Sequence, residues 1–438
     1  MEEVNQTFSL INNKKIDVLE LSTILLILAS IFSIINLRLL KLPQTIGLMI
    51  LAIALSISSL LLGLLFPSIL NLAKAITESF DFNFVLINVM LPFLLFAGAI
   101  SINVHQLLKD KITILFLALF GVLFSTYIIG NLTFILIQLP VFGLESIGIT
   151  YIDCLLFGAL IAPTDPIAVL SIVKKMNLSP ITKTRIAGES LFNDGIGVVV
   201  FLTLIGIKSS GIDNVTIQSV VSLFVTEVIG GVALGALVGY LGLKLVEYIE
   251  NEHVELEVLL TISMVLLLSV IATRFHLSGP LGVVILGLFL NKQADLKSDR
   301  NQEKAMGDYV YKFWHLLDET LNAILFILIG LEIILLFESF NLVYLLLSII
   351  TIVIVVSTRW VAVSIPIFIL SMFKTFEKNT ALIITWGGLR GGLSIALALN
   401  LPDDLGDVKS LILILTYGVV LFTILVQGLT MKKIINSN

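Results

Sequence analysis

The sequence predicts an all-α polytopic membrane protein, with about thirteen transmembrane helices in two inverted halves and one broken helix per half at the bilayer midplane. Three observations carry that reading. Hydrophobic residues make up 58% of the 438 residues and charged ones only 13%, with mean hydropathy +1.08, a balance that would leave a soluble domain with a greasy surface. Apolar runs of membrane-crossing length recur along the whole chain. Two of those runs are interrupted by residues that a continuous helix does not tolerate.

The runs, each near the ~20 residues that a bilayer requires, fall at 17–37, 44–65, 84–102, 112–138, 151–173, 186–207, 218–243, 256–273, 277–291, 309–335, 341–370, 380–399 and 408–430. The first follows a polar leader and runs into Arg38 and Lys41 without a small-residue cleavage pattern, so it reads as a retained helix. The ninth is short and contains Gly279–Pro280, and the parity of the count rests on it. Loop charge favours thirteen: with the C-terminus cytoplasmic and the N-terminus outside, eighteen basic residues fall in cytoplasmic loops against six opposite. The two basic residues left over, Arg359 and Arg390, lie inside spans eleven and twelve.

Span five is interrupted by Pro163 and Pro166, which lack backbone donors. Span twelve is interrupted by Gly387–Gly388–Leu389–Arg390–Gly391–Gly392, where four glycines disfavour a regular helix. The two spans are an odd seven apart and cross the bilayer in opposite directions. Broken helices at matching places in two halves point to an inverted repeat with a binding site at the midplane. No basic run suggests nucleic acid, nothing calls for a cofactor, and the single cysteine, Cys154, cannot form an intrachain disulfide.

Asp165 and Asp194 carry the chemistry. A carboxylate deep in a bilayer costs at least ~2.5–3.5 kcal/mol on insertion scales, so it needs a partner, a watery cavity or a function. On a helical span six, Glu189 and Asn193 are four apart, as are Ser190 and Asp194, forming one polar stripe. With carbonyls freed near Thr164, the stripe offers oxygen ligands for a hard cation; the bland alternative is a polar cluster that merely locks two helices. Asp165 can offset the positive N-terminal end of a half-helix. Arg359 cannot deprotonate and needs an anion, for which Glu189 is the first choice; that leaves Asp194 as the titratable group. Arg390 can instead neutralise half-helix C-termini at the span-twelve break, and spacing alone leaves open which arginine does which. Phe313–Trp314–His315–Leu316–Leu317–Asp318–Glu319 opens span ten, with its acids either lining an inner funnel or lying solvated at the helix start.

Thr164–Asp165–Pro166, Glu189–Ser190–Leu191–Phe192–Asn193–Asp194–Gly195, Phe313–Trp314 with Gly330, and the glycine-rich stretch around Arg390 together resemble the monovalent cation:proton antiporter-1 family, specifically its bacterial NhaP-type sodium/proton exchangers. The resemblance implies the sodium/proton antiporter fold in a homodimer. Scaffold helices would lie in 17–102 and 218–335, and a mobile ion-transporting core in 112–207 and 341–430. It places the transported Na+ at Asp194 with Asp165, Ser190 and the Thr164 carbonyl, next to Asn193, and pairs Glu189 with Arg359. One departure is Ala97, where many family members carry glutamate.

The expected activity is exchange of Na+ or Li+ for H+ across the inner membrane, one for one, by alternating access, with cation and proton competing for Asp194. A K+/H+ antiporter is the nearest alternative. An intramembrane aspartyl protease is disfavoured because Asp194 follows Leu191–Phe192–Asn193 rather than a Gly-x-Gly motif, and a channel because broken helices with a carboxylate–arginine arrangement suit alternating access.

Overall fold

The computed structural model describes residues 18–68, 70–71, 74, 82–144, 147–165, 178–210, 216–248, 254–298, 304–336 and 341–436. Helices run in the order α1 (Val18–Ile35), α2 (Gln44–Gly63), α3 (Leu86–Ser101), α4 (Val104–Lys109), α5 (Lys111–Ile137), α6 (Tyr151–Ile161), α7 (Pro180–Ser210) and α8 (Ile217–Tyr248). There follow α9 (Val254–Arg274), α10 (Gly279–Ser298), α11 (Lys304–Leu336), α12 (Leu342–Ser371), α13 (Thr380–Trp386), α14 (Gly392–Leu399) and α15 (Asp407–Ile434). No strand occurs among the described residues. Eight of these helices are long and apolar enough to cross a membrane, and three shorter apolar ones lie at Leu86–Ser101, Tyr151–Ile161 and Gly279–Asn291. The chain is a multi-pass membrane protein.

The interruptions read from the sequence shape the fold. Helix α6 starts at a capping box in which Thr150 and Asp153 satisfy each other's backbone groups, and it stops just before Pro163, which has no N–H to continue the ladder. Its 11 residues rise ~16 Å at ~1.5 Å per residue, about half of a ~30 Å hydrocarbon core. The rest of span five, Pro166 included, lies outside the described residues. Span twelve becomes two short helices, α13 and α14, separated by a non-helical stretch that leaves α13 in a turn at Gly387 and is extended at Gly391.

Helix α5 packs against α6, α7 and α12, while α15 packs against α12, α14 and α6. Elsewhere α11 packs against α1, α2, α3 and α9, and α10 packs against α3 and α8. Helix α7 joins the two sets through α5 and α10. Small residues set the closest crossings, as is usual where lipid supplies no hydrophobic drive between helices. A Cβ on Gly158 would sit 2.3 Å from the Thr126 carbonyl of α5, and the Ser56 hydroxyl donates to the Gly330 carbonyl at 2.7 Å across α2 and α11. Trp314 is fully buried, donating to the Thr261 hydroxyl at 3.0 Å and packing on Phe96 at 4.4 Å between ring centroids. The Phe313–Trp314 motif thus anchors α11 to α3 and α9 by packing.

Candidate functional site

Glu189, Ser190, Asn193 and Asp194 are all buried on α7. Arg359 of α12 meets Glu189 with two parallel bonds, Nη1 to Oε1 at 2.7 Å and Nη2 to Oε2 at 2.8 Å, the strongest geometry available to this pair of groups. Asn193 then ties the ion pair to the break of span five. Its amide nitrogen donates to Glu189 Oε1 at 3.0 Å and to Thr164 Oγ1 at 2.7 Å, and its oxygen accepts from the Thr164 backbone N–H at 3.1 Å. Thr164 Oγ1 donates in turn to Ser190 Oγ at 3.2 Å, and the Ser190 hydroxyl donates to the Thr164 carbonyl. Proline has stripped this segment of helix bonds, and two side chains three apart on α7, Ser190 and Asn193, replace them.

The two breaks touch each other. The Asp165 backbone N–H donates to the Leu389 carbonyl at 2.7 Å, and Arg390 Nη1 donates to the Pro163 carbonyl at 3.3 Å. The Arg390 backbone N–H is held by Thr423 Oγ1 at 3.0 Å. Arg390 therefore lays its charge at the C-terminal end of α6, across from its own break. Asp165 lies at the N-terminal end of α14, where a Cβ on Gly391 would come within 2.3 Å of its Oδ2. Each charge faces the helix end of opposite polarity. Among the described glycines only Gly143, Gly148 and Gly406 have positive φ, so the glycines of the break are needed for room. A Cβ on Gly388 would likewise approach Arg359 Nε to 2.6 Å.

A cavity of ≈ 60 Å³ lies against this crossing. Thr164, Asp165 and Asp194 line it together with Leu94 of α3, Asn322 of α11 and Ser394 of α14. The Asp194 carboxylate has no hydrogen-bond or ion-pair partner among the described residues. Two carboxylates with neutral hydroxyl and carbonyl oxygens are a donor set for a hard cation held weakly enough to leave; no cluster of three or more His, Cys, Asp or Glu suited to a resident metal occurs among the described residues. Ala97 is buried on α3, between the cavity-lining Leu95 and Gly98 in sequence.

Sequence reasoning stopped short of several groups. Asn322 follows the inspected motif by three residues, one turn beyond Asp318, and a lone amide in an apolar run was the available signal. Nor did spacing reveal a charge cluster at one end of α7, where Asp110 accepts from Thr113 at 2.7 Å, from Lys374 at 2.7 Å and from Arg185 Nε. Burial pushes the Asp110 carboxyl up, but the bonds from Lys374, Thr113 and Arg185 outweigh it and hold it below its ordinary 3.8. At the other end of α7, Lys208 pairs with Asp153 at 2.5 Å.

A buried carboxylate left without a partner, set where two broken helices of opposite sense meet, defines a secondary ion transporter. The pattern of the family described as "Sodium/hydrogen exchanger, transmembrane" matches residues 25–436, and the chain belongs to that family. It is 40% identical to the Na(+)/H(+) antiporter NhaP of Pseudomonas aeruginosa over 95% of this chain and 96% of the relative. It is 33% identical to the Na(+)/H(+) antiporter NhaH of Halobacillus dabanensis over 94% and 96%. Among solved structures it resembles the sodium proton antiporter MjNhaP1 of Methanocaldococcus jannaschii, with a TM-score of 0.73, 20% identity and coverage of 94% of this chain and 96% of that one. That likeness is one of fold.

Proposed function

We propose that this chain exchanges Na+, or Li+, for H+ one for one across the plasma membrane, by alternating access, with cation and proton competing for Asp194. The observation that carries the reading is the contrast within the polar stripe: Glu189 is neutralised by two bonds from Arg359, Asn193 is uncharged, and Asp194 alone has no partner among the described residues. Either occupant cancels its charge, whereas the empty anion is costly to carry past a dry barrier. Coupling follows without a separate gate. Asp165, Ser190, Thr164 and Asn193 shape the site, Glu189–Arg359 is its structural ion pair, and Arg390 compensates a half-helix. The names of the bacterial relatives, both Na(+)/H(+) antiporters, support the substrates.

In this reading α5–α7 and α12–α15 form the moving core, with α1–α3 and α8–α11 the scaffold of a homodimer in the lipid bilayer. Support for a scaffold face comes from α8, whose apolar window is only 11% buried within the chain. The C-terminus lies in the cytoplasm and the N-terminus outside. The test is purified protein in liposomes. Asp194→Asn abolishes sodium-driven proton movement while the protein stays folded; sustained flux in that variant sinks the mechanism. The stoichiometry is read from the sodium gradient at which proton flux reverses under imposed potentials. A net charge would feel ~2.3 kcal/mol per 100 mV, so a reversal point that moves with voltage refutes one-for-one exchange.

A further inference from the structure

The cavity beside Asp194 has two walls, and they belong to different helix sets. Asp194 comes from α7, and Thr164 and Asp165 follow the end of α6, both helices packed on α5, while Ser394 comes from α14, packed on α6 and α15; Asn322 comes from α11, which packs chiefly on α2, α3 and α1. Asn322 and Ser394 are only 2% and 1% exposed. Neither Asn322 Oδ1 nor Ser394 Oγ has a hydrogen-bond partner among the described residues. Buried oxygens of this kind are rare and call for a reason.

Chemistry fixes which way the Asn322 amide points. Its nitrogen donates to the Asp318 carbonyl at 2.8 Å and to Asp318 Oδ1 at 3.0 Å. Both are acceptors, so the NH2 side must face them and the oxygen must face away. Asp318 thereby fixes the Asn322 side chain, which keeps a neutral amide oxygen free in the lining of the cavity that Asp194 shares. Most other oxygens near the stripe are already engaged: Ser190 and Asn193 are spent on Thr164 and Glu189.

We propose that Asn322 Oδ1, with Ser394 Oγ, supplies neutral ligands to the cation held at Asp194, so that the coordination shell is shared between the two helix sets. The proposal rests on Asp194 being the cation carrier. A hard cation entering a dry site must replace its hydration shell with several oxygens, whereas a proton needs only the carboxylate. Removing Asn322 therefore weakens the cation and leaves the proton untouched. Because Asn322 sits on α11, the shell is complete only while α11 faces the carboxylate. This makes Asn322 a determinant of cation affinity specific to this arrangement of the helices.

The experiment uses the full-length protein with NaCl and LiCl as probes. Asn322→Ala is predicted to raise the apparent KM for Na+ on the order of ten-fold, the size expected for removing one supporting group from a metal shell. At saturating sodium it moves the pH of half-inhibition by protons upward by about one unit per ten-fold loss, as competition for one carboxylate requires. The midpoint of sodium-dependent thermal stabilisation in detergent rises in parallel. Ser394→Ala, which removes a hydroxyl that bonds nothing among the described residues, gives the same signature at about three-fold and serves if Asn322→Ala does not fold. Unchanged KM and unchanged proton inhibition in the folded variants overturn the proposal, as does a fall in maximal rate alone. Asp194→Asn separates the levels: if it retains sodium-dependent stabilisation, the carrier assignment itself fails; if it loses it while Asn322→Ala and Ser394→Ala behave as the parent, only the shared shell fails.

Discussion

The two broken helices reach one crossing by opposite chemistry. The break after α6 is made by proline and repaired by side chains, with Asn193 and Ser190 of α7 bonding the Thr164 backbone. The break between α13 and α14 is made by glycine and filled by its neighbours, with Asp165 and Arg359 occupying space where Cβ atoms would stand. Charge is also traded: the proline break bears the acid and the glycine break the base, yet each serves the other's helix end. A proline break can be sealed from one side, whereas a glycine break needs another segment pressed into it. The glycine break is accordingly the more sensitive to added bulk.

The sharpest way to break that comparison is Gly391→Ala. Its Cβ would lie 2.3 Å from Asp165 Oδ2, and displacement of about an ångström at a working site costs on the order of 100-fold. Transport in liposomes should fall by that order; a near-normal rate would show that the glycine break has slack. Next in size is the ion pair behind the proline break. Glu189→Ala or Arg359→Ala should each cost ~3–5 kcal/mol by leaving a buried charge unmatched, and the double change should cost less than the sum, read by thermal unfolding in detergent. Additive losses would mean that the two residues do not act as one unit.

A third test supplies an electrostatic reference away from both breaks. A carboxyl held below its ordinary 3.8 in the folded state contributes stability that is present above the unfolded value and lost as pH falls through the folded one. The stability gap between the parent and Asp110→Asn should then be flat from roughly pH 5 to 9 and close only below about pH 4. A gap that closes near neutrality would contradict the bonding at Asp110. The smallest effect is expected at Gly206, near the end of α7, where an added Cβ meets nothing within 4 Å. Gly206→Ala should stabilise by ~0.5–1 kcal/mol with transport intact, which separates glycines kept for room from those that are not.

Much of this was legible in the sequence wherever the signal was local. The stripe on α7 follows from four-residue spacing, and the end of α6 from Pro163. The membrane class follows from composition. The partner of Arg359 needed more, since it lies 170 residues from Glu189 and periodicity says nothing about separations of that kind. The reach of Arg390 to Pro163, 227 residues away, was hidden for the same reason; the sequence pointed it to its own break. The glycines announced an interruption, but only the crossing shows that they make room. Asn322 and Ser394 converge on one cavity from different helices, and nothing in either local sequence marks that meeting.

Helix α7 is fastened at three depths: Arg185 to Asp110, Glu189 to Arg359 and Lys208 to Asp153. Asp194 lies nine residues from the first tie and fourteen from the last, ~14 Å and ~21 Å along the axis. A rod pinned in this way cannot slide within its bundle, so its tips and its carboxylate must travel together. Ser209, beside the last tie, is exposed, and the sole cysteine, Cys154, is buried. A spectroscopic tag at Ser209→Cys would then serve as an odometer, read from the water, for the stroke that carries the ion.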